Sequence, residues 1–290
     1  MMKMEKEELQ SYEKAFLIAD DAVGLAQKLV KENVRALELA EKIEKRIMEL
    51  GGKPAWPVNI SVNEIAAHYT PSIGDTLILK SGDFVKIDIG AQVNGYICDR
   101  AFTVKIGSKS DPMIEASEKA LEECLKLIKP GTKVSEISEV CENTVNGLGF
   151  NVIRNLAGHR IERNNQHAHP SIPNSRNSMQ DEIEAGNVYA MEVFVTNGSG
   201  FVVESSPTEI FQYNKDVGVR LWEARKILEL AKSEFDKLPF TKRWITGISP
   251  LKIGMAFQQL VDTEAIVEFP PLKEESNGIV AVTEQSVIVK

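Results

Sequence analysis

Four carboxylates and one imidazole, Asp88, Asp99, Glu192, Glu284 and His159, stand in segments that otherwise read as apolar strands or a glycine-flanked turn. An ionised carboxylate inside such a strand is expensive to bury unless a cation or hydrogen bonds compensate it, so the set points to a buried metal centre. Oxygen-rich donors with one imidazole suit hard or borderline divalent ions such as Mn, Co, Fe(II) or Zn, and several carboxylates allow two ions to be bridged. Two ions about 3.5–4 Å apart can hold a hydroxide, polarise a carbonyl and stabilise the tetrahedral intermediate of amide hydrolysis. Histidines outside the ligand set would add proton or hydrogen-bond partners for that reaction.

Asp88 and Asp99 are related by a geometric argument. Residues 83–93 (DFVKIDIGAQV) and 96–104 (YICDRAFTV) flank Asn94-Gly95. Asn-Gly between two β-rich runs marks a two-residue type I′ hairpin, because both central residues need positive φ. Counting outward from Val93 opposite Tyr96 puts Gly90 opposite Asp99 and Ala101 opposite Asp88. Side chains alternate along a strand, so these four share a face, and the aspartates become diagonal neighbours within reach of a common ion. Taken alone, two aspartates on a hairpin fit a solvated polar face better. Glu192 in VYAMEVFV and Glu284 in GIVAVTEQSVIV shift that balance, since all of them lying on polar faces is a poorer account. Cys98 adjoins Asp99 but points to the other face and is not a ligand.

Two apolar stripes at helical spacing open the chain, one through Tyr12, Ala15, Ala19, Ala26 and Val30, the next from Leu37 to Leu50, stopped by Gly51-Gly52. Short strands are expected at 58–62 and 76–79, followed by the aspartate hairpin. Asp111-Pro112 opens a helix that Pro130-Gly131 stops, and residues 134–148 read as another. Residues 158–180, rich in His, Asn, Pro and Ser, read as a loop. Gly198-Ser199-Gly200 is a turn, flexible or tightly packed, with no need of a phosphate. Residues 221–238 and 251–265 read as amphipathic helices before the chain returns to strands through Phe269-Pro270-Pro271. This mixture is α+β rather than a doubly wound parallel sheet, with a helical piece inserted before the last strand.

With 290 residues, 43% of them hydrophobic, the chain can bury one large core or two smaller ones. A net charge of −8 without a basic block argues against nucleic acid as the main partner. The opening MMKMEKEE lacks the apolar core of a signal peptide, and no run approaches the roughly 18 apolar residues of a membrane span, so a cytoplasmic protein is expected. Cys98, Cys124 and Cys141 have no zinc-type spacing, and their odd number does not indicate a disulfide framework, leaving buried reduced thiols.

Residues 56–71 (WPVNISVNEIAAHYTP), 86–90 (KIDIG) with Asp99, 155–161 (NLAGHRI) and the Glu192 and Glu284 strands resemble methionine aminopeptidase type 2 in its short archaeal form. The resemblance spans essentially the whole chain. It implies the pita-bread (creatinase/aminopeptidase) fold, with catalytic domain 1–208 plus 270–290 and a helical insertion at 209–269. It further implies that Asp88 binds one divalent ion, that His159 and Glu192 bind a second, and that Asp99 and Glu284 bridge them. Glu192 would also act as general base. His68 and His167 match two active-site histidines that are not metal ligands; in the family the first lines the site and is attacked by covalent epoxide inhibitors, and the second contacts the substrate carbonyl or amide. Read by themselves, such histidines are ordinary surface or hydrogen-bonded residues.

Several positions depart from the family pattern. Trp56 stands where a Phe usually lines the methionine pocket. Asn164-Asn165-Gln166 replaces aromatic and aliphatic residues before His167, so Trp56 and Gln166 are expected to shape a larger, more polar substrate pocket. His169-Pro170 follows where Gly is typical, and Val193 replaces a common Pro. The expected activity is removal of the initiator methionine from nascent chains with a small second residue, by a monomer that could contact ribosomes transiently. The acidic chain agrees with attraction of a cationic α-amino group. Two rivals are a Xaa-Pro peptidase of the same fold, which usually carries an extra N-terminal domain, and a non-catalytic binding homologue, which would have lost metal ligands.

Overall fold

A computed structural model describes residues 4–290; the first three residues of the charged opening lie outside the described residues. The two N-terminal stripes form α1 (Lys6–Leu29) and α2 (Ala36–Glu49). Three short strands follow, β1 (Lys53–Pro54), β2 (Asn59–Val62) and β3 (Ile65–Ala67), and then the hairpin of β4 (Phe84–Val93) and β5 (Tyr96–Lys105). Its register is the one that the Asn-Gly turn dictates: Val93 faces Tyr96, Gly90 faces Asp99 and Asp88 faces Ala101, with Asn94 and Gly95 at φ 56° and 85°. Asp111 caps α3 (Pro112–Leu127) by accepting from the Met113 N–H at 2.9 Å, and α4 (Val134–Gly147) follows.

The chain continues through β6 (Asn151–Val152), β7 (Ala157–Glu162), β8 (Asn165–Pro173), β9 (Val188–Thr196), β10 (Val202–Glu204) and β11 (Ile210–Tyr213). Then come α5 (Trp222–Leu230), β12 (Phe240–Thr241), α6 (Pro250–Asp262), β13 (Ile266–Phe269), β14 (Leu272–Glu274) and β15 (Val280–Ile288). The main antiparallel sheet runs β1-β4-β5-β15-β9-β7-β8, with β2 on β4 and β6 on β9. One face packs on helices: α1 and α2 cover Val85, Ile87, Ile89 and Cys98, while α3 and α4 cover Tyr189, Met191, Val193 and Ala281. The alternate residues of the same strands, Asp88, Asp99, Glu192 and Glu284 among them, therefore face the other side. The three cysteines are buried and free. Among the described residues no helix is long and apolar enough to cross a membrane.

Four sequence expectations need correction. Residues 158–173 are not a loop: β7 and β8 pair as a hairpin turned at Arg163-Asn164, with Asn164 at φ 55°, and only 174–180 are irregular as expected. The signal was a period-two alternation in which Gln166, Ala168, Pro170 and Ile172 are buried, hidden because the intervening residues are polar. Residues 76–79 make only an isolated bridge, Arg35 to Ile78. Their backbone groups bond the α1–α2 connection, with the Ala36 N–H donating to Leu77 O and the Leu79 N–H to Val34 O, both at 2.9 Å. The 221–238 helix ends early, α5 passing into a π turn over 231–235. The segment expected to be helical also carries a three-stranded sheet, β12-β11-β13, and a core of its own around Phe211, Phe240 and Phe257.

Candidate metal centre and cleft

Five neighbouring strands each contribute one of the sequence-selected side chains: Asp88 from β4, Asp99 from β5, Glu284 from β15, Glu192 from β9 and His159 from β7. Glu284 pairs directly with both Ala101 and Glu192, and His159 with Ala190. One ligand atom each from Asp99, His159 and Glu284 lie within 4.8 Å of one another. His159 Nε2 is 3.6 Å from Asp99 Oδ2 and 3.8 Å from Glu192 Oε1. Asp88 accepts from the Trp56 indole N–H at 3.0 Å.

The backbone beneath this cluster is held by side chains that sequence reasoning missed. The Thr103 hydroxyl donates to Val282 O (2.8 Å) and accepts from Val282 N–H (2.7 Å). Ser286 does the same for Asp99, accepting from its N–H at 2.8 Å and donating to its O at 3.0 Å. These two hydroxyls stand in for ladder bonds on either side of Glu284. Asn174, fully buried, donates to Glu192 O (2.7 Å) and accepts from Phe194 N–H (2.6 Å), fixing the backbone that carries Glu192. A hydroxyl within a strand, as at Thr103, or an amide just past the end of one, as at Asn174, carries no distinctive mark in the sequence.

Burial and crowding make the metal-free arrangement electrostatically unfavourable. Burial pushes the Asp88 carboxyl up to about 7, against the pull of the Trp56 hydrogen bond. Asp99, Glu192 and Glu284 are pushed well above the usual carboxylate range, first by burial and then by one another's charge and that of Asp88. Burial, reinforced by His167, lowers His159 to about 3, so its imidazole is neutral and its nitrogen lone pair available. The internal cations do not balance this charge. Arg100 spends its guanidinium on Asp20 (2.9 Å) and Ser286 O (3.1 Å), and burial drives the Lys86 amine well below its ordinary range while it donates to Asn63 O at 2.6 Å. Asp99 Oδ1 is buried without a hydrogen-bond partner. Carboxylates that repel one another, a neutral imidazole and an unsatisfied oxygen fit a divalent cation.

A cavity of about 440 Å³ opens over the cluster. His68, His167, Trp56 and Gln166 line it, and so do Asn59, Ser61 and Lys86, which had not been singled out. Ile210, Pro239 and Phe269, from the segment with the separate core, close it from above. His68 sits at φ 63°, a left-handed conformation uncommon for a residue with a Cβ and typical of constrained site positions. Its ring meets Phe269 edge-on at 6.1 Å, and burial, then His167, lowers it to about 4. The His167 ring lies edge-on to His159 at 4.6 Å. The expected polar run thins out: Gln166 lines the cavity, whereas Asn164 forms the β7–β8 turn, its N–H donating to Gly95 O at 2.8 Å. His169 reaches the rim, where its Nε2 is 2.8 Å from Asp181 Oδ1.

Five metal-competent side chains on five consecutive strands, under a cavity sized for a small substrate, define a metal-dependent hydrolase on an α+β scaffold. A family model described as metallopeptidase family M24 matches residues 10–223, and the chain belongs to that family. It is 46% identical to a methionine aminopeptidase from Thermococcus onnurineus over 90% of each chain. Among solved structures it superposes on a thermophilic Arx1 with TM-score 0.86 at 17% identity, covering 98% of this chain and 88% of that one. A methionine aminopeptidase from Thermotoga maritima gives TM-score 0.72 at 21% identity, covering 100% and 96%. The fold is the pita-bread fold, and the protein is a metallo-aminopeptidase that binds divalent metal and acts on peptides with free N-termini.

Proposed function

We propose that this aminopeptidase removes the initiator methionine from nascent chains whose second residue is small, using two divalent ions. The reading is carried by one observation: Asp88, Asp99, Glu284, Glu192 and His159 come from adjacent strands to one face of the sheet beneath the cavity. Asp88 would hold one ion, His159 and Glu192 the other, with Asp99 and Glu284 shared. When bound, Co, Mn, Fe(II) or Zn supplies Lewis-acid polarisation of the scissile carbonyl and lowers the pKa of water.

Glu192 takes a proton from the attacking water and returns it to the departing amine, so that peptide and water yield methionine and a shortened chain. His167, beside His159 at the cavity mouth, holds the scissile carbonyl or amide. His68, kept neutral by burial, lines the same space and can donate or accept one hydrogen bond. Trp56 and Gln166 line the space for the methionine side chain. Residues 209–269 act as the inserted subdomain that closes the cavity. A monomer in the cytoplasm, meeting its substrates at or near the ribosome, completes the reading.

The test is free methionine release from a Met-Ala-Ser peptide by metal-stripped protein reloaded separately with Mn, Co, Fe(II) or Zn, beside a Xaa-Pro peptide and a Glu192→Gln control. Metal-dependent methionine release, lost in the control, is the expected result. Cleavage of the Xaa-Pro peptide alone would replace this reading with a prolidase-like one.

A further inference from the structure

We infer that Trp56 is a positioning residue for the metal centre, its indole N–H fixing the carboxylate of Asp88; the inference rests on the metal-binding reading of the site. The contact is direct, Nε1 to Oδ1 at 3.0 Å, and Trp56 is 7% exposed. A donor on one carboxylate oxygen selects the rotamer and leaves the other oxygen to bind an ion.

The ring is held in place from two sides. The Ala55 N–H donates to Gly90 O at 2.9 Å, tying the chain just before Trp56 to β4. A Cβ on Gly90 would come within 2.5–2.6 Å of three ring carbons of Trp56, so the indole rests on bare backbone there. Gly90 is two residues from Asp88 on the same strand face. The missing side chain at 90 thus makes the seat from which the indole reaches Asp88. A phenyl ring at position 56 could fill the seat but has no N–H to donate.

The experiment is calorimetric titration of Mn(II) into the metal-stripped full-length chain in three forms beside the unmodified one: Trp56→Phe, Trp56 replaced by its sulfur isostere benzothienylalanine, and Gly90→Ala. The isostere keeps the ring and removes only the N–H. The expected result is that one binding event weakens by about tenfold or more in all three, while the other stays within about twofold. Thermal melting of the metal-free isostere protein should stay within the few degrees that one lost hydrogen bond accounts for. Unchanged binding by the isostere overturns the inference, and equal weakening of both events overturns it too, because that is the mark of general structural damage. If the unmodified chain binds no Mn(II) at all, the metal centre itself fails, which is a distinguishable outcome.

Discussion

At the scale of single residues, Glu192 combines two duties whose loss should be separable from folding. In the metal-free protein it crowds Asp99 and Asp88, whose charges raise its own carboxyl. Glu192→Gln removes one negative charge from that cluster, and its backbone stays bracketed by Asn174. Turnover should fall by at least about 10²-fold, in the range of a lost general base, while calorimetric melting of the metal-free variant stays level or rises. A lower melting temperature would show that the carboxylate stabilises the fold by itself. The ligand set was legible because each member is a charge or imidazole out of keeping with its segment. Lys86 and Asn174 were not, because a polar residue looks the same in sequence whether its partner is solvent or a distant backbone group such as Asn63 O or Glu192 O.

At the scale of elements, the hairpin of β4 and β5 could be read to the residue because Asn-Gly leaves one turn geometry and hence one register. The β7–β8 hairpin could not, since its alternation sets buried Gln166 and Pro170 against equally polar neighbours. Two tertiary joints were also invisible in sequence, and each can be tested. Glu44 of α2 pairs with Arg243, both about 5% exposed, and also accepts from the Val58 N–H and the Trp244 indole, each at 3.0 Å. Arg243 in turn donates to Thr70 at 3.1 Å. This node ties the 210–269 segment to α2 and to the loops bearing Trp56 and His68. Arg243→Met should cost about 3–5 kcal/mol in urea unfolding by leaving Glu44 buried and uncompensated, and Glu44→Gln with Arg243→Met should recover part of that loss. The second joint is Glu274 of β14, fully buried, which accepts from Ser199, Gly200, Ser276 and Gly278 and explains the tight Gly198-Ser199-Gly200 turn. Burial alone would raise its carboxyl, but these donors outweigh it and bring it from 4.5 down to about 2. A depressed folded pKa gives stability that is complete above the unfolded value and is lost as pH falls toward the folded one. The stability gap between the wild type and Glu274→Gln, on the order of 3 kcal/mol near neutrality, should therefore shrink as pH drops below about 4.5.

At the scale of the whole molecule, the ligand set joins two halves with largely separate cores. Asp88 and Asp99 belong to strands whose opposite face packs under α1 and α2, whereas Glu192 and Glu284 belong to strands packed under α3 and α4. Between them β5 and β15 share only two paired positions, Glu284 with Ala101 and Gln285 with Arg100, and rely on Thr103 and Ser286 for the rest. The seam between the halves therefore combines few ladder bonds with dense like charge. A divalent ion bound there removes the repulsion and links both sides, and binding to the folded state alone stabilises it by mass action. With free Mn(II) a hundredfold above its dissociation constant, the gain is about 2.7 kcal/mol, which should raise the unfolding midpoint by about 4 °C over the metal-stripped protein. Opening at the seam should be suppressed with it, so that hydrogen exchange at β5 and β15 slows on metal addition more than exchange within α5 and α6, whose core lies apart. Equal slowing in all four elements would mean that the ion stabilises the fold globally and that the seam opens no more readily than the rest.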